Sequence, residues 1–330
     1  MRSLIWIFLL LPVALPSQSQ KEPIARGRDT SFTIQSTAAK LKRQFPHARI
    51  AEPSLPPGVR VHEDLVYSTI GTRELRMDIL VPSAARETPR PAVILIHGGG
   101  WRSGDRSQTI PMARRLAEAG YVSAAVEYRL SPEALYPAAV HDLKAAIRFL
   151  RANSARFGID TARIAALGCS AGGQLAAFLG TTNNNRAFEG STGWPAYSSA
   201  VQAVVDIDGV LDFNTPDEIG ADSVAARTKA ASLWFGGTIF EKPHLWTEAS
   251  PTTHVGPATA PIAFINSALD RYHFGRDAMI KKLNALRIYS EVHTIPDTPH
   301  PFWFFEPWFD ITCKHVTAFL DKTFRAPLRR

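Results

Sequence analysis

A chain of 330 residues, 45% apolar and 20% charged, holds enough apolar mass for a sizeable core, which excludes a disordered chain and suits one large domain or two small ones. Its formal charge of +7 is scattered, as in Lys40, Lys42 and Arg43, Arg114 and Arg115, and Lys281 and Lys282. No run of five or six like charges occurs, which argues against a nucleic-acid partner. Two cysteines, Cys169 and Cys313, are too few for a disulfide-stapled scaffold and are expected as buried free thiols.

The chain starts with a short basic stretch, Met1-Arg2, an apolar run from Leu4 to Leu15, and then Ser17-Gln18-Ser19. This pattern predicts a secretory signal peptide over residues 1–19 and a secreted or periplasmic mature protein. The apolar run is shorter than the ~20 residues that a membrane span needs, so no stable membrane insertion is expected. Residues 20–60 are polar and interrupted by Pro46, Pro53, Pro56 and Pro57. They are expected as an extended lead-in with one short helix near Ala38–Gln44.

From residue 61 onward, β-rich runs alternate with helical stretches. Strands are expected at Asp64–Thr69, Leu75–Val81, Ala92–His97, Val122–Tyr128, Arg163–Leu167, Ala203–Ile207, Ile262–Asn266 and Ser290–Ile295. From the third onward they are nearly unbroken apolar runs, the pattern of strands buried on both faces. Helices are expected at Ile110–Ala119, Ala138–Asn153, Ala171–Leu179, Phe274–Leu286 and Pro307–Phe324. The alternation predicts βα units on a mostly parallel, eight-stranded sheet, opened by two antiparallel strands that turn at Gly71-Thr72. Residues 211–260 are too long for one crossover and carry Leu233, Trp234, Phe235, Phe240 and Leu245. They are expected as a helical insertion over the active edge of the sheet.

Chemistry concentrates in three places. Gly168-Cys169-Ser170-Ala171-Gly172 lies between an expected strand and an expected helix, the setting that a G-x-S-x-G nucleophile elbow requires. The glycines leave room for a tight turn that lifts Ser170 out of the strand. His97-Gly98-Gly99-Gly100-Trp101 follows another strand, and its glycines present backbone amides which, with that of Ala171, can form an oxyanion hole. His300, in Asp297-Thr298-Pro299-His300-Pro301-Phe302, sits between the last strand and the last helix, where a general base is expected. No H-e-x-x-H or C-x-x-C spacing and no early G-x-G-x-x-G points to a metal or a dinucleotide cofactor.

With Gly104-Asp105, Tyr128-Arg129-Leu130-Ser131 and Pro137 to Ala152, these motifs make residues 64–325 resemble the hormone-sensitive-lipase-like branch of the α/β-hydrolases. Within it the chain looks most like secreted acetyl-xylan and feruloyl esterases. The resemblance implies an α/β-hydrolase fold, an oxyanion hole at Gly99, Gly100 and Ala171, and a triad in the chain order Ser, acid, His. Asp270, just past the strand Ile262–Asn266, is preferred as the acid on placement, with Asp277 as the alternative. Asp206, Asp208 and Asp212 rank below both and are expected to cap and to bond loop backbone. Around His300 lie Phe302, Trp303, Phe304, Phe305, Trp308 and Phe309. Most are expected in the core, with Trp101 and Trp303 as candidates to meet the substrate.

The expected function is therefore hydrolysis of short acyl or feruloyl esters, with an acylated carbohydrate or another small ester as substrate. A peptidase of this fold would carry a propeller or a large lid, a lipase a larger apolar lid, and a non-catalytic binding protein would usually have lost part of its triad.

Overall fold

The computed structural model describes residues 31–83, 88–215 and 225–325. The expected signal peptide therefore lies outside the described residues. In chain order the strands are β1 (Arg49–Ile50), β2 (Val59–Ile70), β3 (Arg73–Pro82), β4 (Arg90–Ile96), β5 (Val122–Val126), β6 (Ile159–Cys169), β7 (Ala203–Ile207), β8 (Ile262–Asn266), β9 (Ser290–Thr294) and β10 (Phe305–Glu306). The α-helices are α1 (Ile34–Leu41), α2 (Ile110–Glu118), α3 (Ala138–Ala152), α4 (Ser154–Phe157), α5 (Ala171–Thr181), α6 (Ala230–Phe235), α7 (Pro243–Glu248), α8 (Arg276–Ala285) and α9 (Trp308–Arg325).

Eight strands form one sheet in the order β2-β3-β5-β4-β6-β7-β8-β9. β2 and β3 form a hairpin whose turn is made by Gly71 at φ 59°, and β3 runs antiparallel to β5. Every pairing from β5 to β9 is parallel. The continuous apolar runs have a direct cause here. Along β4, Ala92, Ile94 and Ile96 enter one core while Val93 and Leu95 enter the other, because successive side chains point to opposite faces. The first core takes residues of α3, α5 and α8, and the second those of α2 and α9. None of the helices among the described residues is long and apolar enough to cross a membrane.

The lead-in is more ordered than its composition implies. α1 comes four residues earlier than expected, where Thr33 and Ser36 form a reciprocal cap, and Phe32, Ile34, Leu41 and Phe45 pack on the second core. β1 then pairs with β10 in a small separate sheet, placing Ile50 opposite Phe305. A two-residue pairing between Arg49–Ile50 and Phe305–Glu306, at opposite ends of the described chain, leaves no periodicity to read.

Residues 211–215 and 225–260 hold two short helices, α6 and α7, and irregular turns. Phe213, Trp234, Phe235 and Trp246 are buried and touch one another, so the insertion has its own aromatic core. That core reaches the sheet through Trp101, which stacks on Trp234 at 4.7 Å between ring centroids and 5° between planes.

Candidate active site

β6 ends at Cys169 and α5 begins at Ala171, so the whole change of direction falls on Ser170, at φ 56° and ψ −120°. A non-glycine residue at positive φ is strained and persists only where its surroundings hold it. Here the Ser170 amide donates to Ile207 O at 2.7 Å. The flanking glycines are obligatory. A Cβ on Gly168 would lie 1.9 Å from Gly172 O, and one on Gly172 would lie 2.1 Å from Ile96 O.

The glycine loop after β4 packs on this elbow. A Cβ on Gly98 would approach Cys169 O to 2.8 Å, and one on Gly99, at φ 119°, would approach Ser103 O to 2.2 Å. His97 stacks on Tyr128, whose hydroxyl donates to His97 O at 3.0 Å. Gly100 and Ala171 line the cleft into which Ser170 and His300 open, a volume of about 730 Å³. Gly99 is not among its lining residues.

His300 bridges two groups. Its Nε2 lies 2.9 Å from Ser170 Oγ and its Nδ1 lies 3.0 Å from Asp208 Oδ2. A neutral imidazole with its proton on Nδ1 satisfies both contacts: it donates to the carboxylate and accepts from the serine hydroxyl. Burial holds the His300 pKa below its ordinary value; Asp208 works against that and Arg271 adds to it. The imidazole is therefore a neutral base at pH 7. Asp208 is 1% exposed, and its second oxygen accepts the Ser267 amide at 2.7 Å. Asp206, two residues earlier, is also buried. Burial, with the Asp208 charge beside it, pushes its pKa well above the usual carboxylate range. Burial thus disfavours the charged form of Asp206, and it is the Asp208 carboxylate that meets the imidazole.

This corrects the expected acid. The Asp270 carboxylate is fully exposed and lies nearest to His273, 3.6 Å from Nδ1. Asp277 is exposed and pairs with Arg276 at 2.9 Å. Neither meets His300. β7 is the direct neighbour of β6, so a residue just past its end is one strand nearer to Ser170 than anything past β8. Asp208, at φ 51°, turns back at that point and reaches the imidazole. Asp212 has the local role expected of it, accepting the Asn214 amide at 2.9 Å. The available signal was the position of Asp208 directly after five residues that are all buried, in a strand beside the nucleophile strand.

The two tryptophans also differ from expectation. Trp101 lines the cleft but is 4% exposed, with one face on Trp234 and its indole N–H donated to Gln174 Oε1 at 2.9 Å. It forms a wall of the cleft and offers no open face for a sugar to stack on. Trp303 is buried, does not line the cleft, and meets His300 edge-on at 5.1 Å. The helical turn after Pro301 directs it inward. Cys169 and Cys313 are both buried free thiols, and burial raises the pKa of each, which keeps them protonated.

With this geometry in view, the sequence pattern of the BD-FAE family matches residues 77–272. Among curated proteins, Esterase LipC of Mycobacterium tuberculosis is 34% identical over 187 residues, covering 55% of this chain and 45% of its own. The chain spans about half the length of the curated relatives it matches or somewhat less. Among solved structures, a bifunctional GH43-CE protein of Bacteroides eggerthii is similar with a TM-score of 0.70 at 26% identity, over 80% of this chain and 38% of that one. A truncated carbohydrate esterase from gut microbiota has a TM-score of 0.69 at 24% identity, over 83% of this chain and 99% of that one, which is a likeness of fold.

Proposed function

Because the chain belongs to the BD-FAE family, hormone-sensitive-lipase-like hydrolases of the α/β-hydrolase fold, we propose that it is a serine carboxylic-ester hydrolase that removes short acyl groups, acetyl above all, or feruloyl groups from plant polysaccharides. The observation that carries the chemistry is the unbroken chain of contacts Ser170–His300–Asp208 at the floor of an open cleft.

Ser170 Oγ attacks the ester carbonyl as His300 Nε2 takes its proton. The Asp208 carboxylate keeps the other imidazole proton on Nδ1 and stabilises the imidazolium. The oxyanion is held by backbone amides of the glycine loop and of Ala171, at the N-terminus of α5. Of the loop's three glycines, Gly100 borders the cleft. The imidazolium returns its proton to the departing alkoxide, leaving an acyl-enzyme. Water, deprotonated by the same imidazole, then attacks the acyl carbon, releases the acid and restores Ser170.

Two features support a short acyl group and a hydroxyl-rich alcohol. Trp101, fixed between Trp234 and Gln174, stands beside the glycine loop and limits depth there. The cleft is also lined by Lys229, Asp270 and Arg271, which suit a polar leaving group better than a lipid. The predicted signal peptide supports action outside the cytoplasm. The likeness to an enzyme named only as an esterase favours, as a second reading, a general short-chain carboxylesterase.

A panel of aryl acetate, aryl palmitate, methyl ferulate and acetylated xylan separates these. The proposal expects acetic acid release from the xylan and a higher kcat/KM on the acetate than on the palmitate. Aryl acetate turnover with no release from xylan or ferulate selects the second reading. Preference for the palmitate excludes both.

A further inference from the structure

The loop after β8 supplies no carboxylate to His300, yet it packs closely against the imidazole. The Tyr272 ring lies parallel to that of His300, 3.5 Å between centroids and 9° between planes. The Arg271 guanidinium sits over the same tyrosine ring at 4.6 Å and donates to its hydroxyl. Trp303 meets the imidazole edge-on at 90°. The loop is wired to the acid as well. Ser267 gives its amide to Asp208, and the His273 ring, through Nε2, donates to Ser267 O at 2.9 Å.

The two hydrogen bonds of His300 leave one motion open. Hydrogen bonds resist bending only weakly, so a ring held at Nδ1 and Nε2 can still tilt out of its own plane, and tilting swings the Nε2 lone pair away from Ser170. A flat ring at stacking distance blocks that motion, and an edge-on ring against the imidazole opposes it too. We propose that Tyr272 and Arg271 form a clamp that holds the His300 imidazole in the orientation from which it receives the Ser170 proton. Tyr272 is the positioning residue, and Arg271 holds Tyr272 through a cation–π contact and a hydrogen bond. The inference rests on Ser170 and His300 being the reacting pair.

Arg271 carries a second consequence, because its charge faces the same imidazole. The titratable or charged groups around His300 are Asp208 past β7 and, behind it, Asp206 within β7; Asp270, Arg271, Tyr272 and His273 past β8; and Lys229 from the insertion across the cleft. Among them Asp208 favours the imidazolium and Arg271 disfavours it. Removing the Arg271 charge therefore raises the pH at which His300 titrates.

The test combines kinetics on an aryl acetate with an NMR titration of the His300 ring in the substrate-free protein, so that the clamp is read even if the substrate assignment fails. Tyr272→Ala is expected to lower kcat about tenfold or more with KM nearly unchanged, the cost of a misplaced catalytic group. Tyr272→Phe, which keeps the ring, is expected to restore most of it. Arg271→Gln is expected to raise the His300 midpoint and the acid limb of kcat/KM together, while Arg271→Lys keeps both near the parent. An unchanged kcat in Tyr272→Ala, a loss in Tyr272→Phe equal to that in Tyr272→Ala, or an unmoved His300 midpoint in Arg271→Gln would overturn the clamp. Loss of ester hydrolysis in every substrate, with the NMR shifts as expected, would instead overturn the esterase reading alone.

Discussion

Two neighbouring parallel strands, β7 and β8, each run into a loop that places an aspartate on the lining of the same cleft, and the two aspartates differ sharply. Asp208, past β7, is buried, turned back at positive φ and bonded to the imidazole and to the Ser267 amide. Asp270, past β8, stands in solvent with only a distant histidine beside it. An exposed carboxylate is screened and contributes little to a neighbour's charge state. A desolvated one, held by two hydrogen-bond donors, fixes a tautomer and supports a developing positive charge. The loop past β8 meets the imidazole with a ring, and the loop past β7 meets it with a carboxylate.

Ser170→Ala sets the floor for reading the two loops. Removing the nucleophile is expected to lower kcat by about 10⁴ to 10⁶. The circular dichroism and melting temperature should stay near those of the parent, and full activity in the purified variant would end the mechanism.

The contrast itself is tested by matched substitutions. Asp208→Asn keeps size but can hold the wrong imidazole tautomer, and a loss of about 10⁴ in kcat is expected. Asp270→Asn and Asp277→Asn are expected to stay within a factor of about three, as befits screened surface charges. A collapse in Asp270→Asn with Asp208→Asn active would reverse the assignment.

The pH dependence sharpens it. His300 must be neutral to accept the Ser170 proton, and its pKa lies below the ordinary histidine value of 6.5. Its base form therefore persists as pH falls through 6.5, and kcat/KM is expected to hold there and to drop only at lower pH. Asp208 raises this pKa, so the residual activity of Asp208→Asn should show a still lower acid limb. Asp270→Asn should leave the limb in place. A parent limb above pH 6.5 would contradict the environment described for His300.

The smallest effect concerns how the loop past β8 is attached. The Thr298 hydroxyl accepts the Ala268 amide at 3.0 Å and donates to Ile295 O at 2.9 Å, joining that loop to the His300 segment. Thr298→Val should cost about 1 kcal/mol of stability, measured by urea denaturation, with kcat nearly intact. A rate loss as large as that of Asp208→Asn would mean that this loop does more than position a ring.

How much of this was legible follows from how local each determinant is. The strand-and-helix alternation, the elbow around Ser170 and the glycine loop could be read directly, because each is a constraint among adjacent residues. A Cβ at Gly168 or Gly172 collides with backbone a few residues away or in the next strand, so the motif announces its own geometry. The segment 49–50 could not be read as a strand, since its partner is at 305–306. Trp101 and Trp303 look alike in sequence as aromatic neighbours of motifs, and only packing shows that both are buried.

By itself, the sequence determined the fold, the serine on its strained turn and the histidine before the last helix, because backbone sterics and hydrophobic alternation act over short stretches of chain. The choice among Asp206, Asp208, Asp212, Asp270 and Asp277 was left to tertiary structure. Five carboxylates lie within or past the ends of two adjacent strands or at the start of the helix that follows. What separates them is which is desolvated and which reaches Nδ1 of His300. Those properties belong to the assembled sheet, where burial disfavours the charge of Asp206, Asp270 is left in water and, of the five, Asp208 meets the imidazole.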